Sequence, residues 1–196
     1  MTRTAQSTIV QVRTNLGLVP GVERLGDVLV GNGLATALGA RLAPVVVAPP
    51  HSPARSHPSR LLNAEATVDV ARRQAAAVGA VLDAGEFPIV LGGDDSVLFG
   101  SLLALRRRGH FGLVFIDAHI DFYPPENSPT GEASDSELYL AFGNGPALIS
   151  DLDGQRPLIR SDSAAVIGHR DMQEQRDVGA DLRTTDALVV SLADLH

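Results

Sequence analysis

Residues 88–123 have the sequence PIVLGGDDSVLFGSLLALRRRGHFGLVFIDAHIDFY, and the rest of the chain can be arranged around them. Two apolar runs, Pro88–Leu91 and Leu113–Ile116, predict short buried strands. Between them, Ser96–Arg108 has the apolar spacing of a helix. Acidic residues follow each strand directly. Strands joined through a helix run parallel, and ligands bind at their carboxyl ends, so we expect both acidic groups at one edge of a sheet.

The two acidic groups have different chemical possibilities. Asp94 and Asp95 stand where a strand gives way to a helix, and an acid at this position is often only an N-cap. Asp117, His119 and Asp121 occupy alternate positions after the second strand, so we expect them to face one side. Carboxylate and imidazole donors suit Mn²⁺, Zn²⁺ or Fe²⁺, whereas a turn cap, a solvated acid and a packed histidine are the structural alternative.

Composition restricts the class of protein. The 196 residues are 44% hydrophobic and 20% charged, which predicts one soluble globular domain over residues 1–196. Without cysteine, any metal must be bound by oxygen or imidazole donors. The net charge of −7 does not favour nucleic acid as a partner. No apolar run approaches the roughly 20 residues of a membrane helix, and the N-terminus lacks a signal sequence, so we expect a cytoplasmic protein.

The remaining segments predict an α/β fold. Strands alternate with helices, which favours a mostly parallel sheet with helices on both faces. The helix over residues 63–85 is the most regular, with Asn63 as its expected N-cap. The other predicted elements are a strand at Ser7–Val12, a helix at Gly26–Leu42 interrupted by residues 31–33, a strand at Val45–Val47, a loop at Ala48–Leu61, a short helix at Glu137–Phe142, and strands at Ala164–Gly168 and Ala187–Ser191.

Four segments together resemble one family. The segments Leu91–Ser96, LGGDDS, and Asp117–Asp121, DAHID, are similar to the GGDHS and DAHxD motifs of the ureohydrolases, the family of arginase, agmatinase and formiminoglutamase. Gly21–Gly26 and Ile167–Asp171 resemble that family's GVExGP and IGxRD segments. The four matches follow the family's order and extend over nearly the whole chain, which makes them more specific together than any one alone.

The resemblance implies a three-layer α/β/α fold, two Mn²⁺ ions, and hydrolysis of a guanidine or amidine C–N bond by a metal-bridging hydroxide. It implies that Asp117 bridges the ions, that His119 and Asp121 each bind one of them, and that Asp94 is structural. A homo-oligomer is also implied. The partners expected are therefore a small guanidino or amidino substrate and further copies of the chain, with no nucleic acid and no membrane.

The chain departs from the family at the GGDHS motif. Asp95 replaces the histidine ligand, so an anionic oxygen stands where the family has a neutral nitrogen. A carboxylate can bind manganese, but its charge is expected to make the ions less electrophilic. The candidate metal ligands are then Asp95, Asp117, His119 and Asp121.

A second departure concerns the substrate. The segment after DAHID has no histidine and offers Glu126, Glu132 and Asp135, which can bind a cationic substrate or form an ordinary exposed acidic loop. Asp171 is a further candidate, but Met172 and Gln173 follow it without the acid that arginases have. We therefore do not expect arginine itself to be the substrate.

The third departure is at the C-terminal end. The family's last two metal-binding aspartates lie in an S-x-D-x-D strand, whereas Ser191–Asp194 has one acid and is typical of a strand end followed by a helix cap. The resemblance therefore implies the N-terminal two-thirds of the family fold, without its last strands. Two hypotheses remain open: a metal-dependent hydrolase, and a non-catalytic relative that serves as a binding or assembly module.

Overall fold

The computed structural model describes residues 5–195. Residues 1–4 and 196 of the predicted domain lie outside the described residues. The strands are β1 (Ser7–Arg13), β2 (Arg41–Leu42), β3 (Val46–Val47), β4 (Phe87–Leu91), β5 (Leu113–Ile116), β6 (Ala164–His169) and β7 (Leu188–Ser191). The helices are α1 (Leu25–Gly31), α2 (Leu34–Leu38), α3 (Ala64–Asp83), α4 (Val97–Arg106), α5 (Glu137–Ala141), α6 (Ala147–Ser150) and α7 (Met172–Asp177).

All strand pairs are parallel, as the alternation of strands and helices predicts. In the first sheet, β4 pairs with β1 from Ser7↔Phe87 to Gln11↔Leu91, and the short strands β2 and β3 pair with β1 near its two ends. The second sheet has the order β5-β6-β7. β4 and β5 do not pair within residues 5–195, so the described strands form two parallel sheets.

Helices α3 and α4 pack together and cover the first sheet. The apolar side of α3 contributes Val68, Ala71, Ala75 and Val78 to the core, as its spacing predicts. Gly100 lets α4 approach α3 closely, because a Cβ at this position would lie 2.6 Å from the Gln74 side chain. This packing fixes α4, and with it the turn at its N-terminus where the first acidic group lies.

The second sheet has one covered and one bare face. Leu113, Phe115 and Val166 pack into a core with Ile120 and Leu138. On the opposite face the register forms two rows across the sheet: Ala165 lies between Val114 and Leu188, and Ile167 lies between Ile116 and Val190. The exposed fractions are 64% for Val114, 76% for Ile116 and 61% for Leu188. Parallel sheets normally bury both faces, so this apolar face is unusual.

Two local predictions are wrong. Asn63 does not cap α3 with its side chain: its φ is 51°, and its amide accepts a hydrogen bond from Ser52 N (2.7 Å) and donates to Leu16 O (3.1 Å). The helix predicted to reach Leu42 ends at Leu38, because Gly39 adopts a left-handed conformation and the chain then enters β2. Helix α7, in the segment before β7, was not among the predicted elements. No helix within residues 5–195 is long and apolar enough to cross a membrane.

Candidate metal and substrate site

The turn between β4 and α4 holds the first acidic group. Gly93 lies against the end of β1, where a Cβ would be 2.1 Å from Thr14 O, so only glycine fits. Asp94 is buried: its Oδ1 accepts a hydrogen bond from Ser96 N (2.9 Å), and its Oδ2 accepts one from Thr14 Oγ1 (3.1 Å). Asp94 thus ties the turn to β1. Its neighbour Asp95 makes neither of these bonds and lines a cavity.

The second acidic group is not an extended strand. Asp117 continues the β5 pairing with a hydrogen bond from its N to Ile167 O (3.2 Å), but its Oδ1 then accepts a bond from His119 N (2.9 Å) and turns the chain. Asp121 adopts a left-handed φ of 50°. The prediction that alternation along a strand aligns Asp117, His119 and Asp121 is therefore wrong. The turn nevertheless brings all three to the same cavity.

A cavity of about 290 Å³ receives both acidic groups. Its acidic lining residues come from several segments, as parallel strands with a shared carboxyl edge predict. His119 is the only basic side chain among the described residues that line it. The full set of lining residues is Leu18, Asp95, Asp117, His119, Asp121, Tyr123, Pro129, Ser134, Asp135, Asp171, Glu174 and Gln175.

The crowding of acids changes their protonation. Burial, followed by the nearby charges of Asp117 and Asp95, raises the pKa of Asp121 from 3.8 to about 8. Burial, followed by the charges of Asp117 and Asp94, also raises the pKa of Asp95. Burial is thus the main cause of both shifts, and the neighbouring carboxylates add to it.

The four predicted substrate residues are placed differently. Asp135 and Asp171 line the cavity, whereas Glu126 and Glu132 do not. Asp135 accepts hydrogen bonds from Ser128 Oγ (2.6 Å) and Thr130 Oγ1 (2.7 Å), which hold the loop after DAHID. Glu126 is exposed. Glu132 is half-buried, and burial followed by the charge of Asp135 raises its pKa.

Asp171 connects two parts of the site. Its Oδ2 accepts hydrogen bonds from Ile120 N (3.3 Å), within the DAHID turn, and from Gln175 Nε2 (3.2 Å), within α7. Its Oδ1 is buried and has no hydrogen-bond partner. Asp171 therefore orders the turn between His119 and Asp121 and leaves one oxygen for a ligand.

The donor types suit a divalent cation, but the spacing does not form a closed ligand set. Excess carboxylate charge and the unpartnered Asp171 Oδ1 both favour a bound cation. Yet no three His, Asp or Glu side chains within residues 5–195 are grouped so that they can hold one ion. Within the DAHID turn, Asp117 Oδ1 and His119 Nδ1 are 3.6 Å apart.

Sequence reasoning missed Glu137, a buried acid next to the cavity. It is 1% exposed, and its Oε2 has no hydrogen-bond partner. Burial raises its pKa well above the usual range, and the charges of Asp95, Asp121, Asp117 and Asp94 act in the same direction. The sequence carries no motif at this position, because a Glu at the start of a short helix is ordinarily solvated and favoured by the helix dipole.

Parallel strands whose carboxyl ends carry converging acids define an α/β protein with a cation-favouring site. The Arginase family model matches residues 24–195, and the chain belongs to the arginase family. This confirms the resemblance of the four sequence segments.

Individual relatives agree with this assignment. An arginase from Bacillus caldovelox is 34% identical over 117 residues, covering 59% of this chain and 39% of that protein. The solved structure of arginase from Bacillus caldovelox superposes with a TM-score of 0.81 at 26% identity, covering 98% of this chain and 66% of that one. This similarity confirms the arginase-like α/β fold.

A more distant relative shares the fold alone. The formimidoylglutamase from Bacillus subtilis subsp. subtilis str. 168 has a TM-score of 0.61 at 13% identity, covering 100% of this chain and 58% of that one. The chain spans less than two thirds of the length of these relatives.

Proposed function

We propose that this chain forms the site of a metal-dependent hydrolase that cleaves a guanidine or amidine C–N bond. The observation that supports this proposal most is the convergence of the GGDDS and DAHID segments on one acidic cavity. Asp95, Asp117, His119 and Asp121 are the proposed metal residues, with Asp117, His119 and Asp121 carrying the catalytic role, and Mn²⁺ is the proposed metal. A bound pair of such ions supplies an activated water near neutral pH.

The remaining acids suit a cationic substrate. Asp135 and Asp171 line the cavity and can attract a guanidinium group by charge and hydrogen bonding. Glu126 and Glu132 lie outside the lining and are kept as proposed contacts for a longer substrate. The curated relatives are named arginases, so arginine belongs in any substrate test. Met172 and Gln173 support our expectation that it is a poor substrate.

The direct test is hydrolysis by the Mn²⁺-loaded protein. Arginine, agmatine and formiminoglutamate are supplied in turn. The release of urea from the two guanidines and of formamide from formiminoglutamate is measured. We expect metal-dependent release from one of them. Asp117→Asn should lower the rate by at least about 100-fold, since loss of an outer-shell partner of a metal ligand already costs up to that much. The proposal fails if the wild-type protein releases no more product than the chelator-treated protein.

A second candidate function is a non-catalytic binding or assembly module. The replacement of the motif histidine by Asp95 and the lack of a three-residue ligand set within residues 5–195 favour it. Asp95→His separates the two functions. The hydrolase proposal expects Mn²⁺ binding that is tighter or more like that of arginases, and faster hydrolysis, because histidine is the ligand of the family's motif and its neutral nitrogen leaves the ions more electrophilic. The module proposal expects neither to change.

The wider setting of the protein is proposed on the same basis. We place it in the cytoplasm as a homo-oligomer that binds neither nucleic acid nor membrane, and we assign residues 1–196 to the N-terminal two-thirds of the family fold. The bare apolar face of the second sheet supports association between copies, since apolar surface of this kind is rarely left exposed.

A further inference from the structure

Glu137 is held firmly beside the candidate site. It is the first residue of α5 and is 1% exposed. The next residue, Leu138, donates a hydrogen bond from its N to Asp121 O (3.0 Å), which fastens α5 to the DAHID turn. Two residues further along the turn, Tyr123 N donates to Asp135 O (3.0 Å). The position of Glu137 is therefore coupled to that of Asp121.

The burial of Glu137 is not compensated by the protein. Its Oε2 is fully buried without a hydrogen-bond partner. Burying an ionised carboxylate without a partner costs several kcal/mol, whereas an acid in the first turn of a helix gains only about 0.3–1 kcal/mol from the dipole. Helix α5 has five residues, so its dipole does not account for the buried acid. The described residues provide no hydrogen-bond partner for its Oε2.

The charges near Glu137 include those of the candidate site. Four acids raise the pKa of Glu137 by their charge. They belong to the two acidic groups: Asp94 and Asp95 after β4, and Asp117 and Asp121 after β5. The carboxyl group thus lies within electrostatic reach of the acids that follow β4 and β5.

We propose that Glu137 is a further cation-binding residue of the candidate site, which supplies carboxylate charge to a divalent cation from the buried side of the cavity. This inference rests on the proposed function. A bound cation would pair with this buried carboxyl group, whose Oε2 has no hydrogen-bond partner among the described residues.

The test is Mn²⁺ titration calorimetry on the full chain carrying Glu137→Gln, which keeps the shape of the side chain and removes its charge. We expect the dissociation constant for Mn²⁺ to rise at least about tenfold, the equivalent of 1.4 kcal/mol. The matched control is Glu86→Gln. Glu86 is also largely buried, accepts a hydrogen bond from Arg41 Nη1 (2.6 Å), and precedes β4, at the end of that strand away from Asp94. We expect this control to bind Mn²⁺ like the wild type.

A second readout separates cation binding from a purely structural role. In the presence of chelator, Glu137→Gln is expected to unfold at the same temperature as the wild type or higher, because it removes an unpaired buried acid. Glu137→Asp keeps the charge but moves it back by one methylene, so its Mn²⁺ affinity is expected to be intermediate.

Each contrary outcome has a distinct meaning. Equal Mn²⁺ affinity in Glu137→Gln and the wild type overturns this inference and leaves the proposed function standing. A Glu137→Gln protein that does not fold, or that is less stable than the wild type in chelator, shows that the acid is structural and also overturns the inference alone. A wild-type protein that binds no Mn²⁺ overturns the proposed function, and the inference with it.

Discussion

Asp121 is an acid whose pKa is strongly shifted by its surroundings. It is 9% exposed, and burial together with the charges of Asp117 and Asp95 raises its pKa from 3.8 to about 8. In the unfolded chain Asp121 is neither buried nor held beside these charges. Between pH 4 and 8, roughly, the folded protein therefore holds a proton that the unfolded chain releases, and the free energy of unfolding decreases as the pH rises.

The corresponding prediction concerns the metal-free protein. In chelator, the free energy of unfolding should fall by up to about 1.4 kcal/mol per pH unit through this window. Asp121→Asn should reduce the slope, since it cannot release a proton. Urea denaturation at a series of pH values measures both. An equal slope in the two proteins would show that Asp121 does not titrate abnormally.

Single residues also show where sequence reasoning stops. The meeting of Asp95 with Asp117 could be predicted, because parallel strands share a carboxyl edge. The turn at Asp117 could not, since it depends on a side-chain hydrogen bond to His119 N that competes with strand geometry. Glu137 was missed for a related reason: its burial is decided by tertiary contacts of α5, which leave no periodicity in the sequence.

At the scale of elements, the β4–α4 turn is the feature that places the first acidic group. The predicted strand and helix on either side of it are confirmed with small differences at their ends. The structure explains why the residue at position 93 is glycine: a Cβ on Gly93 would lie 2.1 Å from Thr14 O and 2.7 Å from Glu23 Cα. Both neighbours are backbone atoms, so neither can move aside easily.

Gly93→Ala is accordingly expected to destabilise the protein by about 3 kcal/mol or more, at the upper end for overpacking, and to weaken Mn²⁺ binding by displacing Asp95. Gly31→Ala is the control, because no atom lies within 4 Å of the added methyl group and its φ is ordinary. It should change stability by less than about 1 kcal/mol. Urea denaturation and Mn²⁺ titration measure the two effects. Similar behaviour of the two variants would contradict this account of the turn.

For the whole molecule, the sequence leaves open which strands are neighbours. Periodicity identifies each strand but does not encode its partners, and the described strands form two parallel sheets. The same limit hid the bare face of β5, β6 and β7. Its apolar residues look like core positions in the sequence, and only the register shows that they share an uncovered surface.

This face leads to a prediction about assembly. If copies associate through it, Ile116→Lys should shift the protein toward monomer, because it places a charge at the most exposed of the apolar residues quoted for this face, which is 76% exposed. Leu38→Lys introduces the same charge at another exposed apolar residue, 49% exposed, and should leave assembly unchanged. Sedimentation velocity over a range of concentrations measures the shift. A wild-type protein that remains monomeric throughout would exclude this mode of association.

The most direct test of the central claim is the amount of Mn²⁺ that the full chain retains in equilibrium dialysis. The account predicts saturable binding of about two ions per chain, as in two-metal hydrolytic sites, with a clear loss in Asp117→Asn. Retention of no Mn²⁺ by the wild-type chain, or equal retention in Asp117→Asn, would contradict it.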